Sequence, residues 1–142
     1  MLVDAVLTER LRLLALYVDE LSSFQREARS FQVYTEDARL RRAVERVLQV
    51  AVEVCLDVGR RIITLGGFRY AEDNKDVFRV LAQEKIVPDK LLHALLEMAR
   101  FRNLIVHDYA KIDDAKVYEI LKRRLGDFDA FAGAIVAYLD GA

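Results

Sequence analysis

The scarcity of chain breakers constrains this sequence more than any other feature. One proline and six glycines are spread over 142 residues, so the backbone runs for twenty or thirty residues at a time without interruption, and long helices are the natural outcome. Apolar residues recur at three- and four-residue spacing through each uninterrupted stretch. Over about residues 2–30 they are Val3, Leu7, Leu11, Leu14, Val18 and Leu21. Over about 36–65 they run from Leu40 through Val44, Leu48, Ala51, Cys55 and Val58 to Ile62, with Thr35 a candidate N-cap and Gly66-Gly67 a strong stop. Val50, Val52 and Val54 widen that stripe, as expected of a central helix or an interface helix. Asp73 then caps a short third helix carrying Val77, Phe78 and Leu81, and Pro88 opens a fourth with Leu91, Leu95, Met98, Arg102 and Val106 along one stripe. Asp113 caps a fifth, which continues to Leu139. No run shows sustained period-two alternation, so the expected fold class is all-α: one up-and-down bundle of about five helices in a single domain spanning 1–142.

Charge excludes some functions and localises others. Lys and Arg together number 22 against 23 acidic residues, so a polyanionic partner would have to meet a local basic patch. Three clusters qualify: Arg39, Arg41, Arg42 and Arg46; Arg60 and Arg61; and Lys122, Arg123 and Arg124. Such runs are ordinarily solvated faces, unless one of them flanks the site described next. A single cysteine, Cys55, sits among apolar neighbours and reads as a buried small hydrophobe in a reducing compartment. The mixed charges of the first turns are unlike a signal peptide, and no apolar run has membrane-spanning length, so a cytoplasmic location without a membrane partner is expected. Metal sites fail on ligand count. Di-iron bundles use Glu-x-x-His, but Lys90 and Leu104 stand three residues before His93 and His107, and two histidines with one cysteine make no zinc set. No Gly-rich phosphate loop or nucleophile signature appears, and no metal or other cofactor is expected. His93, four residues before Glu97, reads as half of an exposed ion pair.

One stretch looks chemical: Phe101-Arg102-Asn103-Leu104-Ile105-Val106-His107-Asp108-Tyr109. For this composition, an Arg five before and a Tyr two after a histidine arises by chance roughly once in a hundred chains, which is suggestive without being decisive. At 100° per residue Arg102 falls in line with Leu91, Leu95 and Met98, and a guanidinium on a buried stripe must find an anion or hydrogen-bond partners. His107 lines up instead with Arg100 and Asn103, about 140° away from Arg102 on a regular helix. Two arrangements bring the pair together: a distorted last turn, or a two-fold dimer whose facing helices pool two copies of the stretch. A capped helix end with a satisfied Arg and a surface His fits spacing and periodicity equally well.

RNLIVHDY resembles the Arg-x4-His-x-Tyr motif of the HepT-like toxins of the HEPN superfamily. RRAVERVLQVAVEVCLDVGRRII resembles that family's central helix, DVFRVLAQEKIV its short third helix and IDDAKVYEILKRRLGDFDAF its last, whereas GGFRYAEDN resembles it less. The resemblance implies a homodimeric, metal-independent endoribonuclease acting on cellular RNA, the toxin of a pair whose antitoxin is a minimal nucleotidyltransferase. It further implies that Arg102 and His107 are catalytic at a dimer cleft, with Asn103 and Arg100 in support, and that Tyr109 matches the tyrosine modified with AMP by the antitoxin. The chemistry is consistent with that implication. RNA carries its own nucleophile in the 2′-OH, so an enzyme need only move protons and stabilise a crowded anionic phosphorus centre. Histidine changes protonation near neutral pH, and arginine forks onto phosphate oxygens. The rival expectation is a non-catalytic helical module that binds a nucleotide or scaffolds the nucleotidyltransferase.

Overall fold

Each helix end is written in the sequence by the residue that satisfies its orphan amides. The computed structural model describes residues 4–141; Met1, Leu2, Val3 and Ala142 lie outside them, including the Val3 of the first apolar stripe. The first helix, α1 (Ala5–Glu27), starts where Asp4 accepts a hydrogen bond from the Leu7 amide. It buries Leu7, Leu14 and Leu21, one residue every two turns. A short helix, α2 (Phe31–Glu36), follows, capped by the Ser30 hydroxyl. The central helix α3 (Ala38–Gly66) ends at Gly67, whose φ of +66° is the left-handed cap that glycine adopts at least cost. Next come α4 (Asn74–Gln83), capped by Asp73, and α5 (Asp89–His107), entered through Pro88. A single 3-10 turn (Tyr109–Lys111) leads to α6 (Asp114–Arg123), capped by Asp113, and to α7 (Gly126–Gly141). Every element among the described residues is helical, and none of these helices is long and apolar enough to cross a membrane.

Two sequence expectations are corrected here. Among the described residues seven α-helices stand where about five were expected. The additional ones are α2, too short to show a period, and the split of the fifth helix at Arg124–Leu125. The apolar period runs on through the split because Leu121, Leu125 and Phe128 are all buried; Gly126, a poor helix former, marks the place. The cap of α3 is Asp37, which accepts from the Leu40 amide at 3.0 Å. Thr35 lies inside α2, and its hydroxyl donates to the Gln32 carbonyl.

The broad apolar face of α3 has the use expected of it: α1, α2, α4 and α5 all pack against this helix. Val54, Val58, Leu48, Val52 and Leu56 are buried around more than half of its circumference, and burial pushes the Cys55 thiol well up from its ordinary range. Gly59 lets α4 approach closely, since a Cβ there would stand 2.6 Å from Val77 Cγ1. The segment Gly67–Asp73 is tied down by Arg69, which donates to both oxygens of the buried Asp76 at 2.7 and 2.8 Å, while the Glu72 amide adds a third donor at 2.9 Å. Arg69, then the Glu72 amide, holds the Asp76 carboxyl well below the usual carboxylate range. A depressed pKa contributes stability that is fully present above the unfolded value near 3.9 and is lost as pH falls from there through the lower folded value. Thermal midpoints are therefore expected to fall on acidification below about pH 4, and Asp76→Asn to lower the midpoint at pH 7 and flatten that acid limb. Parallel acid limbs in the two proteins would dissociate Asp76 from the effect.

Candidate active site

Arg102 resolves its conflict with the apolar stripe through α3. Leu91, Leu95 and Met98 of α5 are buried as their spacing requires. One turn further on, Arg102 Nε donates to Glu53 Oε2 at 3.0 Å, with only 21% of the arginine side chain and 32% of the glutamate exposed. Gln49, one turn earlier on α3, donates to the same carboxylate oxygen at 3.1 Å. Arg102 Nη1 reaches Asn103 Oδ1 at 3.3 Å. That oxygen also accepts from Asn74 Nδ2 at 3.0 Å, and Asn74 Oδ1 accepts from Arg60 Nη2 at 2.8 Å. The two guanidinium donors at its ends fix the orientation of both amides, since each must turn its oxygen toward an arginine. One hydrogen-bonded chain thus locks α3, the first turn of α4 and the last turns of α5 together. Arg102 Nη2 has no protein partner among the described residues, so part of the guanidinium fork stays open to an anion.

His107 lies at the C-terminus of α5 and is exposed. It borders an open groove of about 460 Å³ together with Arg60, Asn74, Lys75, Arg100 and Asn103. The one carboxylate on that groove, Asp73, has Oδ1 engaged in capping α4, accepting from the Asp76 amide at 2.8 Å. Three permanent cations and a helix N-terminus therefore face a cavity with little opposing charge, which suits a phosphodiester backbone. Of the basic clusters, the second reaches this groove through Arg60, while Arg41 and Arg42 of the first lie near Tyr109 at the end of the stretch. Arg61 is turned away onto Asp4 at 2.9 Å. Lys122 donates to the Gln25 and Ala28 carbonyls and Arg124 to Asp127, so that third cluster is structural. His93 makes the expected exposed contact with Glu97, at 3.0 Å.

The last turn of α5 is regular: the Asp108 amide donates to the Leu104 carbonyl at 2.8 Å. The structure therefore brings Arg100, Asn103 and His107 to one groove and turns Arg102 inward toward Glu53, keeping the roughly 140° offset. No distortion of the helix aims the pair at a common point within the chain. Tyr109, in the 3-10 turn, is 56% exposed as a residue, yet its hydroxyl donates inward to Glu45 Oε1 at 2.6 Å. That bond, and then partial burial, raises the phenol above its ordinary value near 10, so the side chain is protonated at neutral pH.

Sequence reasoning missed Glu53, Glu45, Asn74 and the groove role of Arg60. Glu45 carried a signal, because it shares a stripe with Val52 and Leu56 of α3, all three buried; a carboxylate there is the acidic counterpart of Arg102. Asn74 carried none, being one polar residue among several around the start of α4.

The comparisons agree with this architecture. A family model described as ribonuclease HepT-like matches residues 14–135. The chain belongs to the HepT-like ribonuclease family. Among HepT-like relatives it is similar to the mRNA nuclease HepT of Shewanella oneidensis, 29% identical over 104 residues that cover 73% of this chain and 78% of the relative. It is also similar to the tRNA nuclease HepT of Aphanizomenon flos-aquae, 25% identical over 134 residues that cover 94% of this chain and 90% of that one. A solved structure of the tri-AMPylated Shewanella oneidensis HEPN toxin in complex with MNT antitoxin shares the fold, with a TM-score of 0.87 at 22% identity over 95% of this chain and 99% of the other. The HepT-like family expected from RNLIVHDY is thus established, and the fold is the one that the HEPN toxin shows.

Proposed function

We propose that this HepT-like protein is the toxin of a toxin–antitoxin pair, a metal-independent endoribonuclease that cleaves cellular RNA and is neutralised by a nucleotidyltransferase antitoxin. The observation that carries this reading is the convergence of His107, Arg100, Arg60 and Lys75 on one open groove, beside an arginine whose Nη2 has no partner among the described residues. The naming of two relatives as mRNA and tRNA nucleases supports it. The antitoxin assignment rests on the solved toxin–antitoxin complex of the structural neighbour.

In this mechanism the cations Arg60, Lys75 and Arg100 hold the RNA backbone, and Arg102 forks onto the scissile phosphate. His107 moves a proton between the 2′-OH, the phosphate oxygens and the leaving 5′-oxygen. Attack of the 2′-oxygen on phosphorus forms a 2′,3′-cyclic phosphate and breaks the bond to the 5′-oxygen, which takes up a proton. Asn103 keeps the α5 terminus aligned with α4. Because Arg102 and His107 point apart within one regular helix, a two-fold homodimer joins Arg102 of one protomer to His107 of its partner across the cleft. Tyr109 is the residue that receives AMP, and the added phosphate places negative charge two residues from His107, in competition with RNA phosphate.

The test is cleavage of RNA by the purified protein in the presence of a strong chelator. Cleavage at an undiminished rate, leaving 2′,3′-cyclic phosphate ends, is the expected result. Intact RNA together with harmless expression in the absence of the neighbouring gene would favour a non-catalytic nucleotide-binding or scaffolding module.

A further inference from the structure

A buried carboxylate ordinarily answers a cation, because removing its charge from water is costly. Two acidic residues are buried, Glu45 at 5% and Asp76 at 7% exposure. Asp76 holds the Arg69 guanidinium. Glu45 forms no ion pair among the described residues, and the hydrogen bond it accepts there comes from Tyr109, 64 positions along the chain. The tyrosine is disposed accordingly: the residue as a whole is more than half open to solvent while its oxygen is drawn onto a carboxylate inside the protein.

We propose that Glu45 accepts the phenolic proton when Tyr109 attacks a nucleoside triphosphate, and fixes the direction of that attack; this rests on Tyr109 being the modified residue. The phenol is held protonated by the same hydrogen bond, and a protonated phenol is a weak nucleophile. A preformed phenolate is therefore not the attacking species, and the proton must leave as the new bond forms. In that step a bond forms between Tyr109 Oη and the α-phosphorus. The bond from that phosphorus to the oxygen bridging to the β-phosphate breaks, and pyrophosphate departs with the electron pair. The proton passes to the Glu45 carboxylate and from there to solvent. The triphosphate and its divalent cation are supplied by the nucleotidyltransferase partner. Afterwards the phenolic oxygen has no proton to donate, and a phosphodiester anion beside a buried carboxylate is repelled, so the modified side chain leaves Glu45 and swings outward.

The other groups that face this hydroxyl do not offer an alternative acceptor. Arg41 and Arg42, one turn before Glu45 on α3, are cations whose charge opposes the rise in the phenol's pKa. Tyr34 on α2 is fully buried, with a hydroxyl that has no partner among the described residues and a pKa pushed up by burial and by the nearby Glu45. Asp114 of α6 stands 4.0 Å from Arg41 and pairs with it. Asp108 and Lys111, on the strand of chain that carries Tyr109, pair with each other at 3.1 Å.

The experiment measures AMP transfer to the full chain, in complex with its nucleotidyltransferase and with ATP and magnesium, by intact mass over time from about pH 6 to 9, with peptide mapping of the modified residue. Glu45→Gln keeps an acceptor oxygen but takes no proton. It is expected to slow transfer by about 10²-fold at pH 7, with a rate that climbs about tenfold per pH unit as phenolate becomes available, whereas the natural chain stays nearly level. Glu45→Asp keeps the charge and draws it back by one methylene. It is expected to give a level profile at a rate lowered roughly tenfold, and it carries the test should Glu45→Gln not fold. Transfer to Tyr109 at equal rates with equal pH profiles in the natural chain and Glu45→Gln, or at the natural rate in Glu45→Asp, overturns the role of Glu45. A natural chain that carries AMP elsewhere, or none, overturns instead the assignment of Tyr109.

Discussion

Replacing His107 by alanine is expected to lower RNA cleavage by about 10²- to 10⁴-fold, the range for loss of a general acid–base group, and to abolish growth inhibition. Thermal stability should change by less than about 0.5 kcal/mol, because the side chain is exposed at a helix end. Arg102→Ala is expected to be as inactive but slightly less stable, by about 1 kcal/mol, since Glu53 is left half-buried without its guanidinium. The pair of variants also tests the cross-protomer site. In a dimer assembled from one Arg102→Ala chain and one His107→Ala chain, one cleft has lost both side chains and the other retains both. Such mixed dimers, isolated through two different tags, should recover about half the natural activity per dimer. Inactive mixed dimers would mean that each cleft draws both residues from one chain. A fully active, fully toxic double variant would remove both residues from the chemistry.

Tyr109→Phe is expected to abolish AMP transfer outright and to leave the ribonuclease active while the nucleotidyltransferase is present, so that co-expression no longer rescues growth. It should also destabilise the fold by about 1 kcal/mol, because Glu45 stays buried and loses its hydrogen-bond donor. The mass of the co-expressed toxin and the thermal midpoint of the isolated variant report the two effects separately. If growth is rescued as well in Tyr109→Phe as in the natural chain, neutralisation is by binding alone, and the tyrosine serves only to anchor the 3-10 turn.

Much of the scaffold was legible because it follows from local rules. Gly66-Gly67, Asp73, Pro88 and Asp113 mark helix ends through the conformations and hydrogen bonds of a few adjacent residues. The breadth of the apolar face on α3 foretold its central position. The break at Arg124–Leu125 was not legible, since α6 and α7 happen to keep one apolar period across it and periodicity registers which face is apolar, not whether the axis is continuous. Likewise Asp37 displaced Thr35 as the cap because two acceptors within three residues compete, and the one whose backbone is extended at the point of entry takes the amide.

The sequence by itself determined the all-helical class and the family, and it singled out the stretch from Phe101 to Tyr109 as the candidate site. It also demanded, through a guanidinium on a buried stripe, that some anion answer Arg102. Only the tertiary structure decided which one. Glu53 lies 49 positions away, Asn74 lies 29 positions from Asn103, and Glu45 lies 64 from Tyr109. Pairings at such separations are fixed by how helices dock, through Gly59 against Val77 and the apolar faces around α3. Helical periodicity tells which way each side chain points on its own axis; it carries no information about what stands opposite.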